Sequence, residues 1–192
     1  MDKKYPHWRR TGSKTVYKGR LHIVEHSAVL PNGEATTYEV EHFATGAVAV
    51  LVRVGGDKVI LTHQYRFPLD KWIYDLPGGA INSDESVEEA AIRECREEVG
   101  ITPKNIQKLC TFYPNPSRTD WPAHIYFCDD FIESTIELND PSENVERVLI
   151  PISKLKKLID NHEIVDPSLL VAWYSARDKG LLRTINLEKV SK

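Results

Sequence analysis

Acidic residues and glycines recur at fixed intervals between Gly79 and Ile101, in the sequence GAINSDESVEEAAIRECREEVGI. Seven acids and two arginines between Asp84 and Glu98 give this stretch a local charge of −5, whereas the whole chain carries −3. Carboxylates crowded in this way repel one another unless cations neutralise them. Hard divalent cations take oxygen ligands, and Mg²⁺ commonly shares its coordination with substrate phosphates. The stretch therefore predicts a metal-binding element that acts on phosphates.

A helix is predicted from Ser86 to Gly100. Ser86 is a good N-cap residue, and Glu89 three positions later completes a capping box. Gly100 is a suitable residue for ending the helix at the C′ position. At 3.6 residues per turn, three apolar residues share one face that is expected to be buried: Ile92, Cys95 and Val99.

Three glutamates are expected on the opposite face of this helix, beside Ala90 and Ala91. Carboxylates at i, i+3 and i+4, here Glu94, Glu97 and Glu98, would converge on a small volume that suits Mg²⁺ at roughly 2.1 Å. A solvated acidic surface is the alternative, but such a surface favours Lys or Arg at i+4 from each Glu. Glu94 is instead followed at i+4 by Glu98, which favours metal binding.

The complete spacing is Gly, five residues, Glu, seven residues, Arg-Glu, two residues, Glu-Glu, one residue, Gly and an apolar residue. It resembles the signature of the Nudix hydrolases, with a match at every charged and glycine position. Cys95 stands where an aliphatic residue is more usual, and Cys is a small enough hydrophobe to serve there. The resemblance implies an α/β/α sandwich with a mixed β-sheet. It also implies metal ions held by Glu94, Glu97, Glu98 and the backbone carbonyl of Gly78.

Residues flanking the signature resemble the ADP-ribose pyrophosphatase branch, which includes nucleoside diphosphate sugar hydrolases. The matching features are Gln64-Tyr65-Arg66, Asp75-Leu76-Pro77-Gly78-Gly79 and Pro116, which lies fifteen residues beyond Ile101, within a resemblance over roughly residues 14–180. Asp75 and Gly78 stand where the branch usually has Glu and Ala, and Ser117-Arg118 replaces a Gly-containing loop. The resemblance implies hydrolysis of the diphosphate bridge of ADP-ribose or a related nucleoside diphosphate sugar. The products would be a nucleoside monophosphate and a sugar phosphate, with Mg²⁺ as cofactor and Mn²⁺ as a possible substitute.

The catalytic roles follow from the same resemblance and leave alternatives open. Arg93 and Glu85 are predicted to pair with each other or with a neighbouring carboxylate and so to orient the metal ligands. A general base must also deprotonate the attacking water. In this branch a Glu from the loop at 140–146 performs that task, and Glu143 is the best positional match. Glu146 and a glutamate of the signature, such as Glu97, are the alternatives.

Substrate contacts are expected from three residues outside the signature. Arg66 and Arg118 are candidate phosphate ligands because a guanidinium binds phosphate oxygens in a planar, bidentate way. For each of them a surface role is the alternative. Pro116, in the same loop as Arg118, is the third candidate. Three aromatic residues could stack on an adenine, with burial as the alternative for each: Trp8, Tyr17 and Trp121.

The chain of 192 residues is expected to form a Nudix hydrolase domain at 45–192, preceded by a small antiparallel β-rich segment at 1–44. That segment is too small to fold alone. Resemblance to the branch implies that two subunits exchange it, so that it serves dimerisation and base binding in a homodimer. Strands are predicted at Lys14–Val24, His26–Leu30, Ala35–Glu41, Ala47–Val54, Lys58–Tyr65, Lys108–Tyr113, Ala123–Cys128 and Glu146–Ile150. Further helices are predicted from Ser153 through Asp160, and from an Asp166 N-cap with Pro167 at N1 to a stop at Gly180.

Composition narrows the protein class and its partners. With 41% hydrophobic and 28% charged residues, the chain has the composition of a soluble globular protein. No apolar stretch approaches membrane-spanning length and the first residues contain no signal-peptide core, so no membrane partner is expected. An odd number of cysteines, three, favours a reducing cytoplasm. A pI near 6.2 without a basic run predicts no nucleic-acid partner.

Two other functions remain open at this point. One is a different Nudix enzyme such as an NADH pyrophosphatase, because the sequence at 113–117, YPNPS, partly resembles the Pro-rich array of that branch. The Gln-Pro-Trp that precedes this array and an upstream zinc ribbon are missing, and so is the extra motif of coenzyme A hydrolases. The other is a non-catalytic Nudix-fold module that senses a nucleotide. Such modules usually lose charged residues from the signature, whereas here every one is present.

Overall fold

The computed structural model describes residues 5–136 and 145–182. These residues form two compact units. Unit 1 comprises the described residues up to Ala44 together with Tyr113–Trp121, and unit 2 comprises Thr45–Phe112 and the described residues from Pro122 onward.

Unit 1 is built on a three-stranded antiparallel sheet with the order β1-β2-β3, formed by Arg9–Lys18, His22–Val29 and Ala35–Glu41. The turn at 31–33 closes β2 onto β3, as its Pro-Asn-Gly sequence predicts. The predicted strand Lys14–Val24 is wrong because the backbone turns within it. Between β1 and β2 the Gly19 amide N–H donates a hydrogen bond to the Leu21 carbonyl at 2.9 Å, and the chain reverses there.

The segment Tyr113–Trp121 belongs to unit 1 through contacts with the end of β3. The Glu41 amide N–H donates to the Arg118 carbonyl at 2.8 Å. Nearby, Nδ1 of His42 lies 2.7 Å from a carboxylate oxygen of Asp120. These contacts join residues far apart in the chain, so the local sequence does not indicate them.

Unit 2 contains a seven-stranded mixed sheet with the order β10-β5-β4-β9-β8, in which β6 pairs with β5 and β7 pairs with β4. The strands are β4 Ala47–Val54, β5 Lys58–Arg66, β6 Lys71–Asp75, β7 Gly78–Ala80, β8 Ile101–Phe112, β9 Ala123–Glu133 and β10 Val145–Pro151. Strands β4 and β9 run parallel, and the other pairs run antiparallel. The mixed sheet is therefore confirmed. Strands β6 and β7 were not predicted, since they are too short to show a clear alternation.

In the ranges 5–136 and 145–182, three α-helices flank this sheet: α1 Val87–Val99, α2 Ile152–Asp160 and α3 Pro167–Asp178. The predicted capping box at Ser86 and Glu89 is present, and Gly100 ends α1 with φ of 63°, a left-handed conformation that glycine adopts readily. Asp166 caps α3 by accepting a hydrogen bond from the Leu169 amide at 2.7 Å. Within the described part of the chain, none of the helices has the length and apolar character needed to cross a membrane.

The sheet lies between two helical layers because alternate residues of its strands point to opposite faces. On one face the buried valines of β4 pack with α1, as Val50 does with Cys95 and Val99. On the other face Leu51 packs with Leu155 of α2 and Trp173 of α3. The predicted α/β/α sandwich is confirmed. Three residues of α1 differ from the prediction. Ala90 and Ala91 are fully buried in the first of these cores rather than placed beside the acids, and Ile92 is only half-buried.

Candidate active site

The acidic side of α1 lies against the short strand β7. The Gly78 amide N–H donates a hydrogen bond to the Glu98 carboxylate at 2.9 Å. A Cβ on Gly79 would lie 2.6 Å from the Glu94 carboxylate oxygen Oε1, closer than side-chain carbons approach other atoms. Glycine at this position therefore lets the carboxylate of Glu94 sit directly on the backbone of β7.

Arg93 joins the acids of this site. Its guanidinium donates two hydrogen bonds to Glu85, from Nε at 2.9 Å and from Nη2 at 2.6 Å. Nη1 lies 2.7 Å from Glu94 and 3.0 Å from Glu97. Nη2 also donates to the Ala80 carbonyl of β7 at 2.9 Å. The predicted pairing of Arg93 with Glu85 is therefore present, and the guanidinium further ties α1 to β7.

The site is largely shielded from water. Glu94 and Glu98 are only 9% and 7% exposed. The Arg93 guanidinium lowers the pKa of Glu85 below its ordinary value, and the hydrogen bonds to Glu85 raise the pKa of Arg93. Both shifts favour the charged forms, so the ion pair persists across neutral pH.

The donor atoms of this site are carboxylate oxygens, which are the ligands that Mg²⁺ and similar hard cations prefer. As the side chains are oriented, no three His, Cys, Asp or Glu residues within 5–136 and 145–182 stand close enough to hold a metal ion. The three glutamates therefore do not converge on one point as the spacing predicted. Arg93 bridges Glu94 and Glu97, whereas Glu98 accepts a hydrogen bond from the Gly78 amide. Glu85, Glu94 and Glu97 carry three negative charges, and Arg93 neutralises one of them. The remaining charge of −2 suits a divalent cation.

The structure distributes the predicted substrate residues over both units. In unit 2, Arg66 forms an ion pair with the buried Asp75. In unit 1, Arg118 lines a cavity of about 480 Å³ that Tyr38 also borders, and Pro116 lies in the same segment. Glu143, the favoured general base, lies outside the described residues.

The structure also locates Glu146, the alternative general base, and two of the aromatic residues for which burial was the alternative role. Glu146 lies on β10 with a side chain that is 65% exposed, 3.7 Å from Nδ1 of His63. Trp8 and Tyr17 are 51% and 56% exposed, so burial does not account for these two aromatic residues.

Sequence reasoning missed the groups that hold Arg66 and Glu85 in place. Asp75 accepts hydrogen bonds from Arg66 and Gln64, and it also contacts Asp166 at the start of α3. The Asn82 amide supports Glu85 by donating to its carboxylate at 2.8 Å. The sequence offered one signal for these groups, because Asp75 stands where the ADP-ribose pyrophosphatase branch usually has Glu.

Comparison with known proteins agrees with this fold. The family model described as NUDIX domain matches residues 43–171, and the chain therefore belongs to the Nudix family. The ADP-ribose pyrophosphatase of Bacillus subtilis is 36% identical over 140 residues, covering 71% of this chain and 74% of that protein. A CMP-5'-(N-acetyl-N-hydroxy-3-aminopropyl)phosphonate hydrolase of Streptomyces rubellomurinus is 32% identical over 71% of this chain and 67% of its own length.

The fold is shared with a solved structure described as that of an ADP compounds hydrolase. It covers 94% of this chain and 100% of its own, with a TM-score of 0.77 and 23% sequence identity. At that identity the likeness supports the fold alone, which is the Nudix fold expected from the signature.

Proposed function

We propose that the protein hydrolyses the diphosphate bridge of ADP-ribose or a related nucleoside diphosphate sugar, with Mg²⁺ as cofactor. The products are a nucleoside monophosphate and a sugar phosphate. The observation that carries this proposal is the Arg93-centred cluster, in which Glu85, Glu94 and Glu97 share one guanidinium beside β7. The similarity to a protein named ADP-ribose pyrophosphatase favours this substrate class.

Each residue of the cluster has a distinct task in the proposed reaction. Glu94, Glu97 and Glu98, with the Gly78 carbonyl, would hold Mg²⁺ or Mn²⁺. When bound, the metal neutralises phosphate charge and makes a water more acidic. Arg93 and Glu85 orient these carboxylates, because the guanidinium contacts three acids and the Ala80 carbonyl at once. No side chain is required to form a covalent intermediate.

The base that accepts a proton from the attacking water is assigned to Glu143, by resemblance to the branch. Glu146 is the alternative. Its carboxylate lies on β10 with the side chain 65% exposed, 3.7 Å from Nδ1 of His63. Glu97 is a further alternative, although one of its carboxylate oxygens already accepts a hydrogen bond from Arg93 at 3.0 Å.

Substrate binding is assigned to Arg66, Arg118 and Pro116. Arg66 is 45% exposed along its side chain and so can present N–H groups to phosphate oxygens. Arg118 lines the cavity of unit 1. We assign base binding to the segment 1–44, for which the exposed rings of Trp8 and Tyr17 are candidates.

A homodimer in the cytoplasm completes the proposal. The exposed aromatic side chains of unit 1 would gain burial by contact with a second copy. Sedimentation of the purified protein should then give twice the monomer mass, and a monomer at micromolar concentration would contradict the dimer. Three free cysteines are consistent with a reducing compartment.

The reaction is tested by incubating the protein with Mg²⁺ and a panel of substrates, and measuring the nucleoside monophosphate released. The panel contains ADP-ribose, ADP-glucose, GDP-mannose, UDP-glucose, NADH and a CMP-linked phosphonate. ADP-ribose or another nucleoside diphosphate sugar should be cleaved fastest, and a clear preference for NADH or the phosphonate would overturn the substrate assignment.

The metal assignment is tested with Glu98→Gln against the control Glu163→Gln, an exposed residue of the α2–α3 loop. The first variant should lose at least about a hundredfold in rate, since a charged ligand of the metal is replaced by a neutral one. The control should retain the wild-type rate. Full hydrolysis by Glu98→Gln would contradict the assignment.

A further inference from the structure

A second buried polar cluster lies in unit 2, apart from the acidic helix. Five polar or charged residues within the described ranges are buried, and Glu94 and Glu98 belong to the site above. The other three are Thr62, Gln64 and Asp75, on the paired strands β5 and β6. Buried polar groups are costly unless they are hydrogen-bonded. None of these three belongs to the Nudix signature, so the signature does not account for their burial.

Asp75 is the centre of this cluster. Its carboxylate accepts hydrogen bonds from the Gln64 amide at 3.3 Å and from the Leu76 amide N–H at 2.8 Å. It also forms an ion pair with Arg66, whose side chain is 45% exposed while that of Asp75 is 7% exposed. The guanidinium is therefore anchored on its inner side and accessible on its outer side. A guanidinium has five N–H groups, so some remain for a ligand.

Asp166 supports this arrangement from the start of α3. It is held by its hydrogen bond from the Leu169 amide at 2.7 Å, and its carboxyl is hydrogen-bonded to that of Asp75. The charged groups that face it are Asp75 from β6 and Arg66 from β5. Two carboxyl groups in contact cannot readily both ionise, so the pair retains one proton under mildly acidic conditions. Burial, followed by the charge of Asp75, raises the pKa of Asp166 to about 7.

In the sequence, this cluster is close to the strand that contacts the acidic helix. Asp75 is three residues before Gly78, whose amide binds Glu98. Three extended residues span at most roughly 11 Å. The anchor of Arg66 and the backbone that holds the metal-site glutamate therefore belong to one short stretch.

We propose that Asp75 and Asp166 act together as positioning residues that hold Arg66 for a phosphate of the substrate. This inference rests on the proposed function and adds to it the groups that set the affinity for substrate. Asp75 fixes the guanidinium, and Asp166 fixes Asp75 by sharing a proton with it.

The arrangement has a defined dependence on pH. While the pair holds its proton it carries one negative charge, and Arg66 is anchored but available to phosphate. When the pH rises through 7 the pair gains a second negative charge, which attracts the guanidinium more strongly and competes with phosphate. KM should then rise with pH in the wild type.

Three variants test the proposal by steady-state kinetics with ADP-ribose between pH 5.5 and 9. Asp75→Asn should raise KM about tenfold at every pH with kcat changed less than threefold, because Arg66 loses a charge-assisted hydrogen bond. Asp166→Asn retains the cap and the contact with Asp75, and it should abolish the rise of KM around pH 7. The control Asp160→Asn, on the exposed face of α2, should match the wild type.

A measurement that does not depend on substrate cleavage distinguishes failure of this proposal from failure of the proposed function. In a ¹⁵N NMR titration, the Arg66 Nε–H signal should shift with a midpoint near pH 7 in the wild type, and this shift should vanish in Asp166→Asn. Its persistence in Asp166→Asn, or an unchanged KM in Asp75→Asn, would overturn the proposal. A wild type that does not cleave ADP-ribose would count against the proposed function, and the NMR titration would still decide the pairing.

Discussion

Replacement of Arg93 by Ala removes the cation that three acids share. The side chain of Arg93 is 22% exposed, and those of Glu85, Glu94 and Glu97 are 14%, 11% and 20% exposed. Removing one partner from a shielded ion-pair network leaves like charges close together. Such a loss costs about 3–5 kcal/mol of unfolding free energy.

The matched control is Arg147→Ala. Arg147 forms a similar two-pronged pair with Glu133, but the Glu133 side chain is 66% exposed. Exposed ion pairs contribute less than about 1 kcal/mol. The comparison therefore isolates the effect of shielding, since both variants remove the same side chain and the same charge.

The assay is urea unfolding followed by circular dichroism, first in EDTA and then in Mg²⁺. In EDTA, Arg93→Ala should lose several times more unfolding free energy than Arg147→Ala. Mg²⁺ at about 100 times its Kd adds about 2.7 kcal/mol to a form that binds it, and it should reduce the deficit of Arg93→Ala by neutralising the same acids. The reasoning would be refuted if Arg93→Ala lost no more stability than Arg147→Ala.

Substitutions at Glu85, Gly79 and Asp166 have further expected effects. Arg93 lowers the pKa of Glu85 below its ordinary value of 4.5. The ion pair therefore stabilises the fold above pH 4.5, and this stability is lost as the pH falls below that value. Acid unfolding of Glu85→Gln should show a weaker pH dependence than that of the wild type. Gly79→Ala places a Cβ 2.6 Å from a Glu94 oxygen, so its kcat should fall at least about tenfold while its melting temperature changes by only a few degrees, as initial rates and calorimetry would show. The pKa of Asp166 is raised from 3.8 to about 7, so the stability that it contributes is complete below pH 3.8 and lost as the pH rises through 7. Asp166→Asn should therefore be more stable than the wild type at pH 8, by up to about 4 kcal/mol in urea unfolding; equal stability at pH 8 would contradict the shared proton.

Local signals in the sequence predicted the parts of the fold that depend on neighbouring residues. The capping box at Ser86, the glycine stop at Gly100 and the exact bounds of β3 and β4 all follow from residues within a few positions. The sequence also predicted that Arg93 pairs with Glu85 or with a neighbouring carboxylate, and both kinds of contact are present.

Contacts between distant segments could not be predicted in this way. The pairing of Asp75 with Asp166 joins the end of β6 to the start of α3, and no periodicity links the two positions. The burial of Ala90 and Ala91 also depends on where β4 and β9 pass beneath α1. The spacing predicted that the glutamates share one helix. It did not predict that Arg93 contacts both Glu94 and Glu97, which only the folded structure shows.

The most direct test of the central claim is ³¹P NMR of ADP-ribose incubated with the protein and Mg²⁺ in ¹⁸O-labelled water. Cleavage of the diphosphate bridge should give two phosphate monoesters, one of them carrying a single ¹⁸O, and no orthophosphate. Labelled orthophosphate, or an intact diphosphate after prolonged incubation with Mg²⁺ or Mn²⁺, would contradict the claim.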